Sequence, residues 1–344
     1  MTDVQWQTLI KVLDGETIKP LPIGLLVDSP WLPGWSGNET LDYFSDDRVW
    51  LEANIRAAQR FPNVIFLPGF WSEYGMCTEP SAFGSKCVWL ENGFPHPGKV
   101  LNSMEEIRHL KKPNCRTDGL LPFMLRRLQR CQKEIEAVGH RIRFAVARGP
   151  LNIACFLLGP DEVLVGMKVQ PEAIHALMEV VTDFLVDWID LQAKIFDSID
   201  GIFLLDDLIG FLGEEDFLQF VLPYFKRAFT ARKFSVRFLH NDAYGMITAK
   251  HLSAMDVNLF NFSHTHKMTE VRQAAGPTVS LVGNIPPRDV LGLGTPDDVR
   301  RATKQLLDSL TDKRRTVVSC GGGVPPGTTT ENIEALIETV AASH

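Results

Sequence analysis

Paired cysteines are missing from this sequence. The six it has, at positions 77, 87, 115, 131, 155 and 320, contain no Cys-x-x-Cys. That argues against a zinc finger and a disulfide scaffold, and it fits a reducing, cytoplasmic setting. Excess positive charge is missing as well. Against 42 Asp and Glu stand 35 Lys and Arg, a formal net charge of -7 with a pI of about 5.7. A surface for nucleic acid or for an anionic membrane is therefore not expected. No uninterrupted apolar run reaches the length of a membrane span. The opening residues, Met-Thr-Asp-Val-Gln-Trp, have neither a basic start nor an apolar stretch, so no secretory signal is expected. Neither Gly-x-Gly-x-x-Gly nor a P-loop follows any apolar run, so neither dinucleotide nor P-loop chemistry is indicated. What the 344 residues do have is 45% hydrophobic content, the usual share for a chain with a large core.

Eight short apolar runs read as strands: Pro20–Val27, Val64–Pro68, Arg141–Ala147, Gly201–Leu205, Val236–Leu239, Asn258–Phe262, Val279–Val282 and Thr316–Ser319. Helical patterns lie between them. An N-terminal helix over Asp3–Asp14 puts Trp6, Leu9, Ile10 and Leu13 on one face. Others are expected near Leu41–Arg60, Gly119–Val138, Leu151–Leu158, Pro171–Asp197 and Glu214–Arg232. Short ones are expected at Thr248–Ala254 and Thr269–Ala275. Thr295-Pro296-Asp297-Asp298 is a helix start, and Thr328 with Glu331 reads as a capping box for the last helix. Eight strands alternating with helices predict a parallel sheet closed into a (β/α)8 TIM barrel, with a long loop insertion after the second strand, Gly69 to about Asn114. A doubly wound open sheet is the alternative. No break in composition marks a second domain, so one domain over 1–344 is expected.

In a parallel barrel the strand exits converge on one mouth. Here they deliver Asp28, Arg148, Asp206, Asp207, His240, Asp242, His264, His266, Asn284 and Cys320. Ionisable side chains at the ends of buried strands are costly unless paired or used, so the pattern points to an enzyme. Alternation sends only one of Asp206 and Asp207 toward the pore. His240 also has a plainer reading, as a hydrogen-bonded barrel residue. So does Cys320, as a small buried hydrophobe. Trp31, Trp35 and Trp71 either wall a flat substrate or pack the loops.

Several of these exits also carry a family resemblance. The segments Gly283–Pro287 (Gly-Asn-Ile-Pro-Pro), Gly294–Val299 and Gly321–Thr328, with Glu331–Ile333, resemble the C-terminal signature of the uroporphyrinogen decarboxylase superfamily. Arg148–Ala154, Asp200–Asp207 and Leu13–Pro22 are similar to its other motifs. The resemblance implies a TIM barrel from one of two branches, cofactor-free porphyrinogen decarboxylases or zinc-dependent, corrinoid-dependent methyltransferases of the methylcobalamin:coenzyme M type. The decarboxylases carry an Arg-rich segment after the first strand and a His in the last Gly-rich segment. This chain has Asp28-Ser29-Pro30-Trp31 and Gly321-Gly322-Gly323 at those places.

The methyltransferase branch is therefore the expected one. It implies zinc held by His240, Cys320 and Asp242, Asp242 standing where those enzymes carry a cysteine. Asp207, Asp206 and His240 are the catalytic candidates, and Asp28, Trp31, Glu79, Arg148 and Asn284 the substrate-binding ones. A methyl group would pass between a small thiol, methyl ether or amine and a cobalamin. The chain has no Asp-x-His-x-x-Gly motif, so the cobalamin would ride on a separate corrinoid protein. Related barrels also pair as homodimers. The alternatives are a metal-free uroporphyrinogen decarboxylase of porphyrin biosynthesis and a catalytically silent binding barrel.

Overall fold

The computed structural model describes residues 1–343. Ten strands form: β1 (Ile23–Leu26), β2 (Val64–Leu67), β3 (Cys87–Leu90), β4 (Gly93–Pro97), β5 (Phe144–Arg148), β6 (Gly201–Leu205), β7 (Val236–Asn241), β8 (Leu259–Phe262), β9 (Ser280–Ile285) and β10 (Thr316–Cys320). Eight of them make one curled parallel sheet in the order β2-β1-β10-β9-β8-β7-β6-β5. All eight overlap the runs read from the sequence, because each is a short Val, Ile, Leu or Phe stretch that buries both faces. β3 and β4 pair separately as an antiparallel hairpin.

No backbone ladder joins the sheet's two ends, β2 and β5. The expected closure is replaced there by side chains. The buried Gln192 amide accepts from Val146 N at 3.0 Å and donates to Val146 O at 3.1 Å, filling the β5 edge that a neighbouring strand would use. At the upper end of the same seam, Arg148 Nη2 donates to Gly75 O at 3.1 Å, and its guanidinium lies 5.3 Å from the Trp71 ring centre.

The N-terminal helix Asp3–Asp14 forms as expected, with Thr2 and Gln5 in a capping box. Other helices differ in detail. The stretch 41–60 is two helices, Thr40–Ser45 and Asp47–Arg60, because Asp46 leaves the helical region and its side chain accepts from Arg48 N. Glu214–Arg232 also divides at Val221, into Glu214–Phe220 and Leu222–Thr230, with Pro223 in the first turn of the second helix. The last helix is capped by Thr329, not Thr328, whose hydroxyl donates to Pro325 O instead. An extra helix, Pro160–Val169, follows Pro150–Leu158 directly. The segment after β2 is not plain loop. It holds a short helix, Thr78–Ala82, the β3–β4 hairpin and a 3-10 helix, Met104–His109.

No single described helix is long and apolar enough to cross a membrane. All eight sheet strands run the same way, so the polar residues at their carboxyl ends gather on one rim.

Candidate active site

β7 places the centre of the rim. His240, 6% exposed, lies beside Asn261 of β8 in the strand register. The Asn261 amide donates to Val282 O at 2.8 Å and to Cys320 O at 3.1 Å. Both its protons are thereby used on carbonyls, so its Oδ1 is what faces the imidazole, 2.7 Å from His240 Nδ1. An acceptor there requires the proton on Nδ1. In the neutral imidazole Nε2 then carries the lone pair, and it points at Asp207 Oδ1, 3.6 Å away, and Asp242 Oδ2, 4.0 Å away.

Asp207 follows β6, and Asp242 is two residues beyond His240 on the same side of β7's line. Asp207 Oδ1 also accepts from Asp242 N at 3.0 Å, which locks the two exits together. Among the described residues no Lys or Arg lies within 4.0 Å of either carboxylate. The ligand atoms of Asp207, His240 and Asp242 all lie within 4.8 Å of one another. The two acid side chains are 44% and 39% exposed, so solvent reaches the cluster. Burial raises the Asp242 carboxyl above the usual range. His240 and His264 oppose the shift, and Asp207 adds to it. A lone pair and two oxygens converging without a counter-charge make a cation or proton site; one nitrogen and two oxygens suit a divalent metal. Gly322 closes over it. A Cβ there would sit 2.7 Å from Asp242 Oδ2, and its φ of +148° is costly for other residues.

Cys320 stands outside this set. It is fully buried at the end of β10, and its thiol donates to Gly322 O at 3.2 Å. Burial pushes that thiol up to about 12.

Asp206 does not face the cluster. It is fully buried, and its Oδ2 accepts from Asn152 N at 2.8 Å, at the start of the helix Pro150–Leu158. The strand alternation decides this, since adjacent residues point opposite ways. Burial pushes Asp206 up to about 8, with Asp207 adding and the Asn152 N–H opposing. A Cβ at Gly149 would fall 2.4 Å from Asp206 Oδ2, so glycine is what lets the carboxylate reach its helix.

A second group of charges occupies the β1, β2 and β5 side of the rim. Asp28 is partly buried, and burial followed by the Glu73 charge pushes it up to about 7; Arg148 and His240 pull the other way. Glu73 is buried, with Oε1 accepting from Ser29 N at 3.2 Å and Oε2 from Gly75 N. Glu79 is buried too. Burial raises it against the Arg148 charge, and its Oε2 has no partner. Arg148 is 4% exposed and makes no carboxylate contact within 4.0 Å among the described residues, its Nε pointing at Met76 Sδ at 3.4 Å.

The remaining candidates are spread along the rim. Trp31 is 1% exposed, donates to Thr328 O at 2.9 Å and packs on Trp35 at 5.0 Å, so it serves the loop packing and walls nothing open. Asn284 Nδ2 donates to His266 O at 2.5 Å and ties two rim loops together. His266 Nε2 accepts from Gly245 N at 3.3 Å, and His264 is exposed. Asn261 and Glu73 had no assigned role in the sequence. Asn261 had a signal, a lone amide inside the apolar run Leu259-Phe260-Asn261-Phe262, where an unpaired polar group is costly.

Residues 7–343 match the uroporphyrinogen decarboxylase (URO-D) family. Among curated relatives, a uroporphyrinogen decarboxylase of Xylella fastidiosa is 23% identical, covering 96% of this chain and 97% of its own. The methylcobamide:CoM methyltransferase MtbA of Methanosarcina mazei is 24% identical over 71% of this chain and 69% of its own. Among solved structures, a methyltransferase from Methanosarcina mazei superposes with a TM-score of 0.82 at 16% identity, over 98% of each chain. That last likeness shows the fold alone.

Proposed function

The chain belongs to the uroporphyrinogen decarboxylase family, and we propose that within it the protein is a methyltransferase. It would move a methyl group between a small substrate and a corrinoid carried by a partner protein, at the mouth of a (β/α)8-type barrel. One observation carries this reading: the Asn261-anchored His240 aims an unpartnered nitrogen at Asp207 and Asp242. That donor set fits a divalent cation, held by His240, Asp207 and Asp242. Such a cation supplies Lewis acidity, which lowers the pKa of a bound substrate group.

The chain's own residues do the rest. Asn261 fixes the imidazole's tautomer and direction. Asp28, raised to about 7, and Glu79, also raised, can hold or release a proton on the β1, β2 and β5 side of the rim. Arg148, stacked on Trp71, is positioned to receive an anionic end of the substrate. The given sequence carries no corrinoid motif, and this reading places the corrinoid on another protein that docks at the open rim.

A second reading, decarboxylation of uroporphyrinogen without metal, is favoured by the full-length likeness to the Xylella protein. Charge opposes it. A substrate with many carboxylates would meet Asp207 and Asp242 at the open rim, with Glu73, Glu79 and the cation Arg148 all buried.

Assaying one purified preparation for methyl transfer from methylcobalamin and for CO2 release from uroporphyrinogen separates the readings. Metal-dependent demethylation of methylcobalamin in the presence of a nucleophile supports the proposal. Metal-independent CO2 release would replace it with the second reading. Inertness in both assays would favour a silent binding barrel.

A further inference from the structure

We infer that the protein binds a small oxyanion, through a phosphate or a carboxylate group, in a cavity at the end of the sheet opposite the candidate active site. The cavity measures about 530 Å³, within the size range of small-molecule sites. Arg272, Arg314 and Arg315 line it, with Asp14 and Asp312 as its acids. It lies where β9 and β10 begin, since Arg315 immediately precedes Thr316 and Arg272 donates to Val279 O at 3.2 Å. β10 is five residues long, which puts roughly 15 Å of strand between this cavity and the rim.

Charge is the first argument. Arg314 is paired with Asp312 at 2.9 Å. Among the described residues, neither Arg272 nor Arg315 has a carboxylate within 4.0 Å. Their fixed contacts are to neutral oxygens. Arg272 Nη2 donates to Arg315 O at 3.0 Å and to Thr316 Oγ1 at 2.9 Å. Arg315 Nη1 donates to Leu13 O, and to Thr278 O at 3.3 Å. Carbonyls and a hydroxyl hold the two guanidiniums in place without neutralising them. Burial pulls the Arg272 pKa down, Asp312 opposes that, and the Arg315 charge adds to it. Two half-buried like charges near one another are unfavourable, and an anion beside them relieves both. Three arginines against two aspartates leave the lining net positive.

The second argument is which donors stay free. All the Arg315 contacts use Nη1, so Nε and Nη2 remain, the edge of a guanidinium that matches two oxygens of a carboxylate or phosphate. The Arg272 contacts use Nη1 and Nη2 and leave Nε. Gly15 forms the facing wall. A Cβ there would stand 3.3 Å from both Arg315 Nε and Nη2, so glycine keeps that side open. Arg315 itself holds a φ of +52°, a conformation few side chains adopt without strain. The arginines also brace the end of the N-terminal helix through Leu13 O, but a neutral donor would do that equally well. The uncompensated charge is what bracing leaves unexplained.

The test titrates the purified chain calorimetrically with inorganic phosphate and with citrate, at constant ionic strength, with circular dichroism checking the fold of each variant. The expected result is a single saturable equivalent, for which the two anions compete if both bind. The tighter of the two tells a phosphoryl ligand from a carboxylate one. Arg272→Gln and Arg315→Gln each weaken binding by about tenfold or more. Asp14→Asn removes an acid from the wall, and Asp312→Asn releases Arg314, so each tightens binding by about threefold or more. These two acids are exposed, so their variants keep the fold even if an arginine variant does not. Arg148→Gln, at the rim, leaves the affinity unchanged. No saturable binding of either anion by the folded parent overturns the inference. So does unchanged affinity in both aspartate variants, or binding lost in Arg148→Gln, which would put the anion at the rim.

Discussion

His240 and Asn261 sit opposite one another on neighbouring parallel strands, 2.7 Å apart from Nδ1 to Oδ1, and the amide's two protons are both committed to carbonyls. The imidazole therefore presents one nitrogen, in one direction. Replacing Asn261 with Ala removes this anchor and leaves Val282 O and Cys320 O without their donor. Each lost buried partner costs about 1–3 kcal/mol. Urea unfolding should show a lower midpoint, and metal titration should show affinity reduced by about 10–100-fold.

Asp206 and Asp207 are adjacent in sequence and opposite in role. Asp207→Asn should leave the unfolding midpoint nearly unchanged, because the side chain is 44% exposed. Asp206→Ala should destabilise by about 1–3 kcal/mol through the lost contact to Asn152 N. Gly149→Ala should act at the same place, forcing a methyl against the Asp206 carboxylate at a cost of about 1–3 kcal/mol. Paired denaturation curves check all three.

The same carboxyl gives a pH signature. Asp206 is raised to about 8 in the fold, from a usual value near 4. Between those values the folded chain holds the extra proton, so this group's contribution to stability is full below about pH 4, falls as pH rises, and is exhausted above about 8. Asp206→Asn cannot ionise. The stability difference between variant and parent should therefore move in the variant's favour from pH 5 to pH 8, measured by urea unfolding at each pH. A difference independent of pH would contradict the assignment.

Asp28 should appear as a carboxyl titrating near pH 7 in ¹³C spectra of aspartate-labelled protein, absent in Asp28→Asn. Arg148 opposes its upward shift, so Arg148→Gln should move that titration to higher pH. An unmoved titration would place Arg148 away from Asp28.

Gln192 fills the edge of β5, bonding both polar groups of Val146. Gln192→Leu keeps the bulk and leaves two buried backbone groups unpaired, an expected loss of about 2–4 kcal/mol in unfolding free energy. Hydrogen exchange at the Val146 amide should accelerate more than exchange at the centre of the sheet.

That seam also shows where sequence stops speaking. The eight strands were legible because each is a short apolar run bounded by polar exits, and the N-terminal helix because Thr2, Gln5 and its apolar face agree. Closure between the two end strands was not legible, since one glutamine inside the long helix Pro171–Ile195 looks like any other polar residue there. Much of the rim was visible as a set of strand exits. Which of them converge was not. The fates of Asp206 and Cys320 depend on a helix terminus and a loop carbonyl that no spacing announces. Asn261 was visible in principle, as a lone amide in an apolar strand. Glu73 was not, because its backbone partners belong to Ser29 and Gly75 in separate loops.

The most direct measurement is the metal content and metal affinity of the purified chain beside His240→Ala. The account predicts a single equivalent of a divalent ion for the parent and its loss in the variant, with both unfolding cooperatively. Equal metal binding by the two folded proteins would contradict it.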